Sequence, residues 1–502
     1  MSHFFKLTLL ALLWRKLGQL WRWGQNWLAS RRQPEKPISE QSSLAQQHSQ
    51  KSIFHPQQPK PNYIRRFMIN MGVGLGIFLL VFLFQNTAFL QGIENEGIDT
   101  LMQIRQKIIP ANPAIPPFVL LDIDDNTHQA WNAPMFTPRN RLHQLIKTAV
   151  DAGARLVIVD VDLSRETPMD GLEQCTQNLA HHPYDQALSD YLGGYKAACS
   201  DKAICPPIIL ARTFQSNVVS PHNTRPSFLD EAANQSTPYV QWASALFFRD
   251  PHEHKIRHWW LWQSACSAKQ PTVMPSIELL AASLIRNGMS QSAGLEQELQ
   301  PFQPQDCFGT PTTQLPPENI QIGELTVSTG QHGIKQRVMF SMPWLVENKP
   351  PRLPYYIKNQ AGQPIITILP AQPYAEVPLT VSLAPLKNSI VVIGGSYSEG
   401  RDTHLTPLGE MPGALIIINA IHTLLQYGEI QPLDNWIKVL TYLGFLLLMS
   451  YVLARFGYGL GSIILGVFVL VILIPGSILL FSYGIWLDFM LPLSVIMQLL
   501  PL

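Results

Sequence analysis

The chain has 502 residues, of which 46% are hydrophobic and 14% are charged, and its length allows two to four domains. Its net charge of +1 is the sum of two opposite parts, because residues 1–66 carry 11 Lys/Arg against 2 Glu and residues 91–435 carry 23 Lys/Arg against 32 Asp/Glu. The acidic part gives no reason to expect nucleic acid as a partner.

The first part, residues 1–66, is predicted to be a cytoplasmic basic arm. Residues 4–28 place leucines at helical spacing, arginines on another face and several tryptophans between them, which is typical of an amphipathic helix at a membrane surface. A signal peptide is the competing interpretation, and the Arg31–Arg32 pair just after the candidate cleavage point argues against it. Residues 31–62 are rich in Gln, Ser and Pro, so we expect a disordered linker.

Four hydrophobic segments predict four transmembrane helices. Their approximate bounds are 67–90, 436–454, 459–483 and 485–502. Arg65 and Arg66 precede the first segment and Arg455 lies between the second and third, and short basic flanks stay in the cytoplasm. We therefore expect a bacterial inner-membrane protein with both termini in the cytoplasm and residues 91–434 in the periplasm or outside the cell.

The cysteines agree with an oxidising location for this long loop. All five lie in it: Cys175, Cys199, Cys205, Cys266 and Cys307. Disulfides form outside the cytoplasm, and nearness in sequence favours one bridge among the first three and one between Cys266 and Cys307. Reduced, buried cysteines are the alternative.

The loop alternates strand and helix patterns. Short apolar runs predict strands at Phe118–Asp122, Leu156–Val161, Pro206–Ala211 and Ser389–Gly394, and 3–4 spacing predicts helices at Pro138–Gly153 and Pro412–Gly428. The first strand, the first helix and the second strand form a βαβ unit with parallel strands. We therefore expect an α/β domain with a parallel or mixed sheet, flanking helices and contributions from distant parts of the chain. The Pro-rich stretches around 216–240, 290–320 and 345–375 are expected to be insertions or meandering strands.

A set of motifs in this loop resembles a known family. The sequence has an acidic-to-Arg helix (DTLMQIR), a strand ending LLDIDD, a strand GARLVIVD, and a late VVIGG, Thr-Pro and Met-Pro-Gly series. The residues that carry the likeness are Asp99, Arg105, Trp131, Arg139, Gly394, Gly395, Pro407, Met411, Pro412, Gly413, Asn419 and Ala420. In this order they resemble the extracytoplasmic CHASE sensory domain of the second type over about residues 91–432. The resemblance implies a sensory role; members are commonly fused to cyclase or kinase output domains, and this sequence contains none.

Acidic residues at predicted strand ends form the first candidate site. They are Asp122, Asp124, Asp160, Asp162 and Asp402. Ligands of open parallel sheets bind at the carboxyl ends of the strands, so these carboxylates are candidates to hold a cation or a cationic ligand. The alternative is that they cap the following helices and pair with Arg139 or Arg155.

Three histidines form a second candidate site. His252, His254 and His258 follow an H-x-H spacing with a third His four residues on, a pattern that can bind zinc or copper. A solvated hairpin above nearby tryptophans is the alternative. Gly394–Gly395–Ser396 could bind an anion through backbone N–H groups, although a tight turn is the favoured interpretation.

No catalytic residue and no cofactor is predicted. Ser396, His404 and Asp402 could be drawn as a hydrolase triad, but the sequence lacks the G-x-S-x-G motif. The sequence therefore predicts a non-catalytic membrane sensor that signals through its membrane helices to a separate cyclase or kinase, with a homodimer as a further expectation. The alternatives are an envelope scaffold or assembly protein with the same fold, and a periplasmic metal-dependent enzyme that uses the Asp pairs.

Overall fold

The structure is a computed structural model. It describes residues 63–84, 87–106, 109–110, 112–169, 181–199, 205–215, 222–289, 292–308, 319–322, 325–328, 335–346, 348–428, 435–481 and 484. The predicted helix 4–28, the linker 31–62, Cys175 and the last predicted span, 485–502, lie outside the described residues.

The described residues form a mixed α/β domain joined to long apolar helices. The helices are α1 (Tyr63–Phe84), α2 (Ala88–Arg105), α3 (Asp125–Ala130), α4 (Arg139–Asp151), α5 (Pro183–Gly193), α6 (Tyr195–Cys199), α7 (Asp230–Gln235), α8 (Ile277–Asn287), α9 (Ser292–Leu299), α10 (Gly413–Tyr427), α11 (Asn435–Phe468) and α12 (Ile474–Phe481). The strands are β1 (Phe118–Ile123), β2 (Leu156–Val159), β3 (Ile208–Ala211), β4 (His222–Asn223), β5 (Val240–Ala243), β6 (Phe247–Arg249), β7 (Ile256–Trp260), β8 (Trp262–Ser267), β9 (Gln270–Pro275), β10 (Asn319–Ile322), β11 (Leu325–Ser328), β12 (Lys335–Arg337), β13 (Tyr355–Lys358), β14 (Pro364–Pro370), β15 (Ile390–Gly395), β16 (Thr403–Thr406) and β17 (Gly409–Pro412).

A seven-stranded sheet in the order β13-β14-β1-β15-β2-β3-β5 organises the domain. Its strands pair in parallel except for β13, which is antiparallel at the edge. The parallel or mixed sheet predicted from the sequence is therefore confirmed. The late strand β15 lies between β1 and β2, so the first and second strands of the predicted βαβ unit are parallel but are separated by a strand from far downstream.

Each face of the sheet is covered by a different set of helices, because side chains alternate along every strand. On one face, Phe118 and Leu120 of β1 belong to a core that includes α8 and α10. On the other face, Val119 and Leu121 pack with the apolar residues of α4 and α5. Both faces of the parallel strands are buried, which explains why their sequences are continuous apolar runs.

Two disulfides lie among the described residues. Cys199 is bonded to Cys205 with their Cα atoms 5.6 Å apart, and Cys266 is bonded to Cys307 with a Cα separation of 5.8 Å. These pairings agree with one bridge among the first three cysteines and one between the last two.

The apolar helices form an antiparallel arrangement. Within α11, Gly457 has non-helical backbone angles (φ 73°, ψ 172°), and the rings of Phe445 and Phe468 lie 6.1 Å apart. In a straight helix 23 residues would separate those side chains by about 34 Å, so the chain folds back at Gly457. We call residues 435–456 arm 1 and residues 458–481 arm 2.

Helix α1 packs against arm 1 in the opposite direction. Tyr63 contacts Tyr451 and Phe78 contacts Tyr442, with ring centroids 6.2 and 5.1 Å apart. By length and composition, one helical stretch of the described residues, the 43-residue Val439–Phe481, is apolar enough to cross a membrane. The predicted number of four transmembrane helices is therefore not confirmed. The first predicted span, 67–90, also overlaps two helices, because α1 ends at Phe84 and α2 begins at Ala88.

Candidate functional site

Two of the predicted acidic residues lie on one face at the carboxyl edge of the sheet. Asp122 lies on the same face of β1 as the buried Phe118 and Leu120, since side chains alternate along the strand. It pairs in register with Gly394 of β15. Asp160 follows β2 directly, and its backbone N–H donates to Ile393 with an N···O distance of 2.8 Å. Gly394 therefore lies between the two aspartates, which stand two strands and roughly 10 Å apart.

The central position is a glycine because helix α10 passes directly over it. A Cβ on Gly394 would lie 2.5 Å from the Cβ of Ala414, in the first turn of α10, and 3.7 Å from Oδ2 of Asp160. The 2.5 Å separation from Ala414 is far below van der Waals contact, so a larger residue would push α10 away from the sheet. The start of α10 is thus fixed against the strand ends that carry the aspartates.

Asp402 joins this edge from above. Its backbone carbonyl accepts a hydrogen bond from the N–H of Gly413 with an N···O distance of 3.0 Å, and its carboxyl group lies against the Cα of that glycine. Burial raises the pKa of Asp160, and the charge of Asp402 raises it further. Asp160 and Asp402, which the sequence placed in one candidate site, therefore interact electrostatically beside the N-terminus of α10.

Glu278 is the acidic residue of this edge that the sequence analysis missed. It is the second residue of α8, its side chain is fully buried, and neither carboxyl oxygen has a hydrogen-bond partner of good geometry. Burial raises its pKa to about 8; Ser276 and its own backbone N–H lower it in part, and the charge of Asp160 raises it. A helix-start pattern of Ser followed by Glu resembles an ordinary exposed N-terminus, so only the tertiary packing identifies this residue.

Asp122 is held by a hydroxyl group on the neighbouring strand end. Ser396 Oγ donates to Asp122 Oδ2 with an O···O distance of 2.7 Å, while Oδ1 is buried without a partner. Burial raises the pKa of Asp122 to about 7, against the lowering effect of the Ser396 hydrogen bond and with a smaller rise from Asp124.

Asp124 and Asp162 point elsewhere. Asp124 is the N-cap of α3 and accepts the backbone N–H of Thr127 with an N···O distance of 2.9 Å. Asp162 accepts the backbone N–H of Ser164, and only its carbonyl oxygen contacts Arg139. Of the five predicted acidic residues, these two form local capping and turn contacts, and the other three lie at the carboxyl edge of the sheet.

The described residues contain no group of three or more His, Cys, Asp or Glu side chains arranged to hold a metal ion. His252 and His254 lie in the exposed turn before β7, and His258 lies within that strand, paired with Phe248. The nitrogens of His404 face Asp402 and Arg249 at 2.9 and 2.8 Å, whereas Ser396 is bonded to Asp122. These contacts do not assemble Ser396, His404 and Asp402 into a nucleophilic triad.

A buried ion cluster fixes α2 to the domain. Asp99, which is 2% exposed, accepts two hydrogen bonds from Nε and one from Nη2 of Arg257, with N···O distances of 3.1, 3.1 and 2.8 Å. Lys255 and Arg337 approach the same carboxyl group at 3.3 and 3.5 Å. Arg257 and Lys255 belong to the stretch 249–258, which also contains the three candidate histidine ligands. In the structure these two basic residues contact Asp99 of α2.

At the other end of α2, Arg105 connects three elements. Its guanidinium donates to the hydroxyl of Tyr427, the last residue of α10, and lies 5.2 Å from the Tyr427 ring centre and 5.7 Å from that of Phe481, the last residue of arm 2. Arg105 is 3% exposed, and among the described residues no carboxylate forms an ion pair with it. We call Arg105, Tyr427 and Phe481 the junction.

His422 lies beside the junction as a neutral side chain. Its ring centroid is 6.3 Å from that of Tyr427, and burial, followed by the charge of Arg105, lowers its pKa to about 4. The guanidinium is therefore the cation at this position, held by aromatic rings rather than by an acid.

Most of the remaining motif residues lie in α10 or beside it. Asn419 accepts the N–H groups of Ser341 and Met342, both at 3.0 Å, and donates to Leu415, so it ties a buried segment to the helix. Pro412 is the N-cap position, Met411 and Ala420 are fully buried, and the carbonyl of Pro407 accepts from Gln103. Trp131 and Arg139 are buried on the opposite face of the sheet, and Gly395 ends β15 beside Tyr397.

Comparison with known proteins gives one match. A family model described as the CHASE2 domain matches residues 75–453, about three quarters of the chain. The match includes α2, the acidic edge, the junction residues Arg105 and Tyr427, and arm 1 up to residue 453. No curated protein and no solved structure matches the chain.

Proposed function

The chain belongs to the CHASE2 family of extracytoplasmic sensory domains, and from this premise we propose that it is a membrane-anchored signal-input protein. A stimulus received by the α/β domain changes the positions of its membrane helices, and a separate protein responds to that change. The observation that carries the proposal is the junction, in which one buried cation contacts α2, α10 and arm 2.

The junction suits this role because each of its three elements has a fixed place. Helix α2 is held to the domain by the Asp99–Arg257 ion pair, and α10 is held at its start by the close contact over Gly394. Arm 2 is apolar and packs against arm 1 through Phe445 and Phe468. A displacement of α10 or α2 relative to the sheet would therefore move Arg105 and change its contact with Phe481. Packed interfaces adjust in steps rather than continuously, so a small displacement can produce a discrete change.

The arrangement of basic residues supports anchoring with the domain outside the cytoplasm. Because Tyr63 lies beside Tyr451, Arg65 and Arg66 are at the same end of the helices as Arg455 and the Gly457 turn. The α/β domain is connected to the other ends of α1 and arm 1, away from these arginines. Under the positive-inside rule the arginine end is cytoplasmic, so we place the domain in the periplasm of a bacterial inner membrane. The proposed anchor has four spans, with residues 485–502 as the last.

We propose a cyclase or kinase as the responding partner, because members of the family resembled by this sequence are commonly fused to such enzymes. The protein itself would act without catalysis. We also propose a homodimer, in which the two copies of the junction would act on one partner.

Affinity purification of the full chain from its native membrane tests this function. The wild type should retain a cyclase, a kinase or another signalling enzyme, and Arg105→Ala should retain the enzyme but change its activity. Arg141→Ala, which removes a part-buried arginine far from the junction, is the matched control and should leave that activity unchanged. Recovery of envelope-assembly proteins and no signalling enzyme would contradict the proposal and favour a scaffold.

A further inference from the structure

The acidic edge has a property that structural contacts do not explain. Glu278 is 0% exposed, and both its carboxyl oxygens lack a hydrogen-bond partner of good geometry. Ionised carboxylates are rarely fully buried without a cation or several donors. A native structure that keeps such a group must leave it neutral under some conditions or supply a ligand.

The basic group in contact with this edge is His404, which lies 2.9 Å from the half-exposed Asp402 and is itself in contact with Arg249. Among the described residues, no Lys or Arg forms an ion pair with Glu278, Asp160 or Asp122. The charge that acts on Glu278 is that of Asp160, and the charge that acts on Asp160 is that of Asp402. Glu278 and Asp160 thus act on each other beside the start of α10, with the half-exposed Asp402 next to Asp160, and repulsion disfavours the ionisation of both Glu278 and Asp160.

The elements packed around Glu278 contribute no other cation at this end. Helix α8 packs against α10, α9 and β3. The titratable or charged groups on these elements are Arg286, Glu296, Glu298, His422 and Tyr427. Arg286 donates to the carbonyl of Leu425 near the far end of α10, where His422 and Tyr427 also lie. β3 (IILA) has no charged residue.

A proton satisfies this arrangement better than a metal ion does. A divalent cation needs several oxygen ligands around one point, and the described residues contain no such group of three. A proton needs one carboxyl oxygen, and it removes both the burial cost and the repulsion. We propose that Glu278 and Asp160 form a proton-binding site whose occupancy is the stimulus, and that α10 carries the change to the junction. This inference rests on the proposed function, whose input it names.

Helix α10 has the geometry that the relay requires. Its first residue, Gly413, lies against the carboxyl group of Asp402, and its last residue, Tyr427, holds Arg105. The 15 residues between these ends span about 22 Å. When the site is protonated, repulsion between the carboxyl groups is absent and α10 stays seated on Gly394. When the protons leave, the repulsion acts at the start of α10 and displaces the helix.

Infrared spectroscopy of the full-length protein in nanodiscs tests the site directly. At pH 6.5 an ordinary glutamate is almost entirely ionised, whereas burial raises the pKa of Glu278 and keeps its carboxyl group mainly protonated. We expect a carbonyl band of protonated carboxyl groups at pH 6.5 that weakens by pH 9 and is reduced in Glu278→Gln. Glu296→Gln, which removes an exposed glutamate from the neighbouring α9, should leave the band unchanged. A wild-type protein without the band, or an unaltered band in Glu278→Gln, would overturn the site.

A distance measurement tests the relay. With Cys175 replaced by Ser, spin labels are placed at Ile104→Cys and Ile463→Cys, both at exposed positions. They measure the distance between α2 and the part of arm 2 near the Gly457 turn. We expect the distance distribution to change between pH 6 and pH 8.5, and Glu278→Gln to hold it near the pH 6 form. An unchanged distribution would overturn the role of protons as the stimulus.

Added divalent cations separate the proton from a metal. If calcium, magnesium or zinc removes the carbonyl band at pH 6.5 in the wild type at micromolar concentration, the site binds metal and the proton proposal is wrong. Persistence of the band supports the proton. Failure of the infrared test leaves the co-purification of a signalling enzyme standing, and failure to recover such an enzyme leaves the band intact, so the two proposals can fail separately.

Discussion

At the scale of the residue, Asp122 and Asp124 are two positions apart and have opposite effects on stability. The pKa of Asp122 is raised to about 7 by burial, so the folded state holds a proton that the unfolded chain has released. Between pH 4 and pH 7 the folded state binds more protons, and the free energy of unfolding falls as the pH rises, by an upper bound of about 4 kcal/mol. We predict that Asp122→Asn removes this loss, because an amide oxygen can still accept from Ser396.

The measurement is thermal unfolding of the full-length protein in detergent between pH 4.5 and pH 8. Asp122→Asn should be more stable than the wild type at pH 8 and nearly equal to it at pH 4.5. Asp124→Ala is the contrasting variant, because it loses the α3 cap and should be less stable by about 1 kcal/mol at every pH. If Asp122→Asn were destabilising at pH 8, the account of this edge would be wrong.

Single residues also show where sequence reasoning reaches its limit. Asp122, Asp160 and Asp402 could be predicted as a group because the carboxyl ends of parallel strands collect at one edge. Glu278 could not, since a glutamate in the first turn of a helix is ordinarily exposed and favoured by the helix dipole. Its burial depends on α10, which covers α8 from more than a hundred residues downstream.

At the scale of the element, the Asp99–Arg257 ion pair holds α2 to β7. Both side chains are 2% exposed, and removing one partner of such a pair leaves a buried charge. We predict that Asp99→Ala lowers the free energy of unfolding by about 3 kcal/mol. Asp151→Ala, which breaks the exposed pair with Lys147, should cost less than about 0.5 kcal/mol. Equal effects of the two variants in chemical denaturation would contradict the structure.

A second prediction at this scale concerns helix α11, which folds back on itself at Gly457. Phe445→Cys with Phe468→Cys should be joined within one chain by a short bifunctional thiol reagent, because their rings are 6.1 Å apart across the hairpin. Phe445→Cys with Ile463→Cys should not, because Ile463 is 56% exposed and lies outside the packed cluster. The readout is the shift of the monomer band on a non-reducing gel. Failure of the first pair would indicate one continuous helix instead of two arms.

The elements differ in how far the sequence predicts them. The strands β1, β2, β3 and β15 and the helices α4 and α10 follow from apolar runs and 3–4 spacing, and the structure confirms each within a few residues. Strand β14 lies inside the Pro-rich stretch around 345–375, where Pro364 and Pro370 bound it, so the prolines hid a strand that pairs with β1. Strand order was not readable, because nothing local indicates that β15 enters between β1 and β2.

At the scale of the whole molecule, the domain and the apolar helices are connected through a few side chains. Asp99 and Arg105 lie at different levels of α2, the first in an ion cluster with the domain and the second against Tyr427 and Phe481. The acidic edge is at the opposite end of α10 from the junction. Because the same two helices bear both the domain contacts and the arm 2 contact, a change at the sheet edge has a short physical route to arm 2.

The distance between Ile104 and Ile463 tests this route most directly. In nanodiscs, spin labels at these positions should give one narrow distance distribution at pH 6 and a shifted one at pH 8.5. Arg105→Ala removes the cation that joins α10 to arm 2, so we predict a broad distribution that is the same at both pH values. If Arg105→Ala responds to pH as the wild type does, the junction does not carry the signal and the central claim is contradicted.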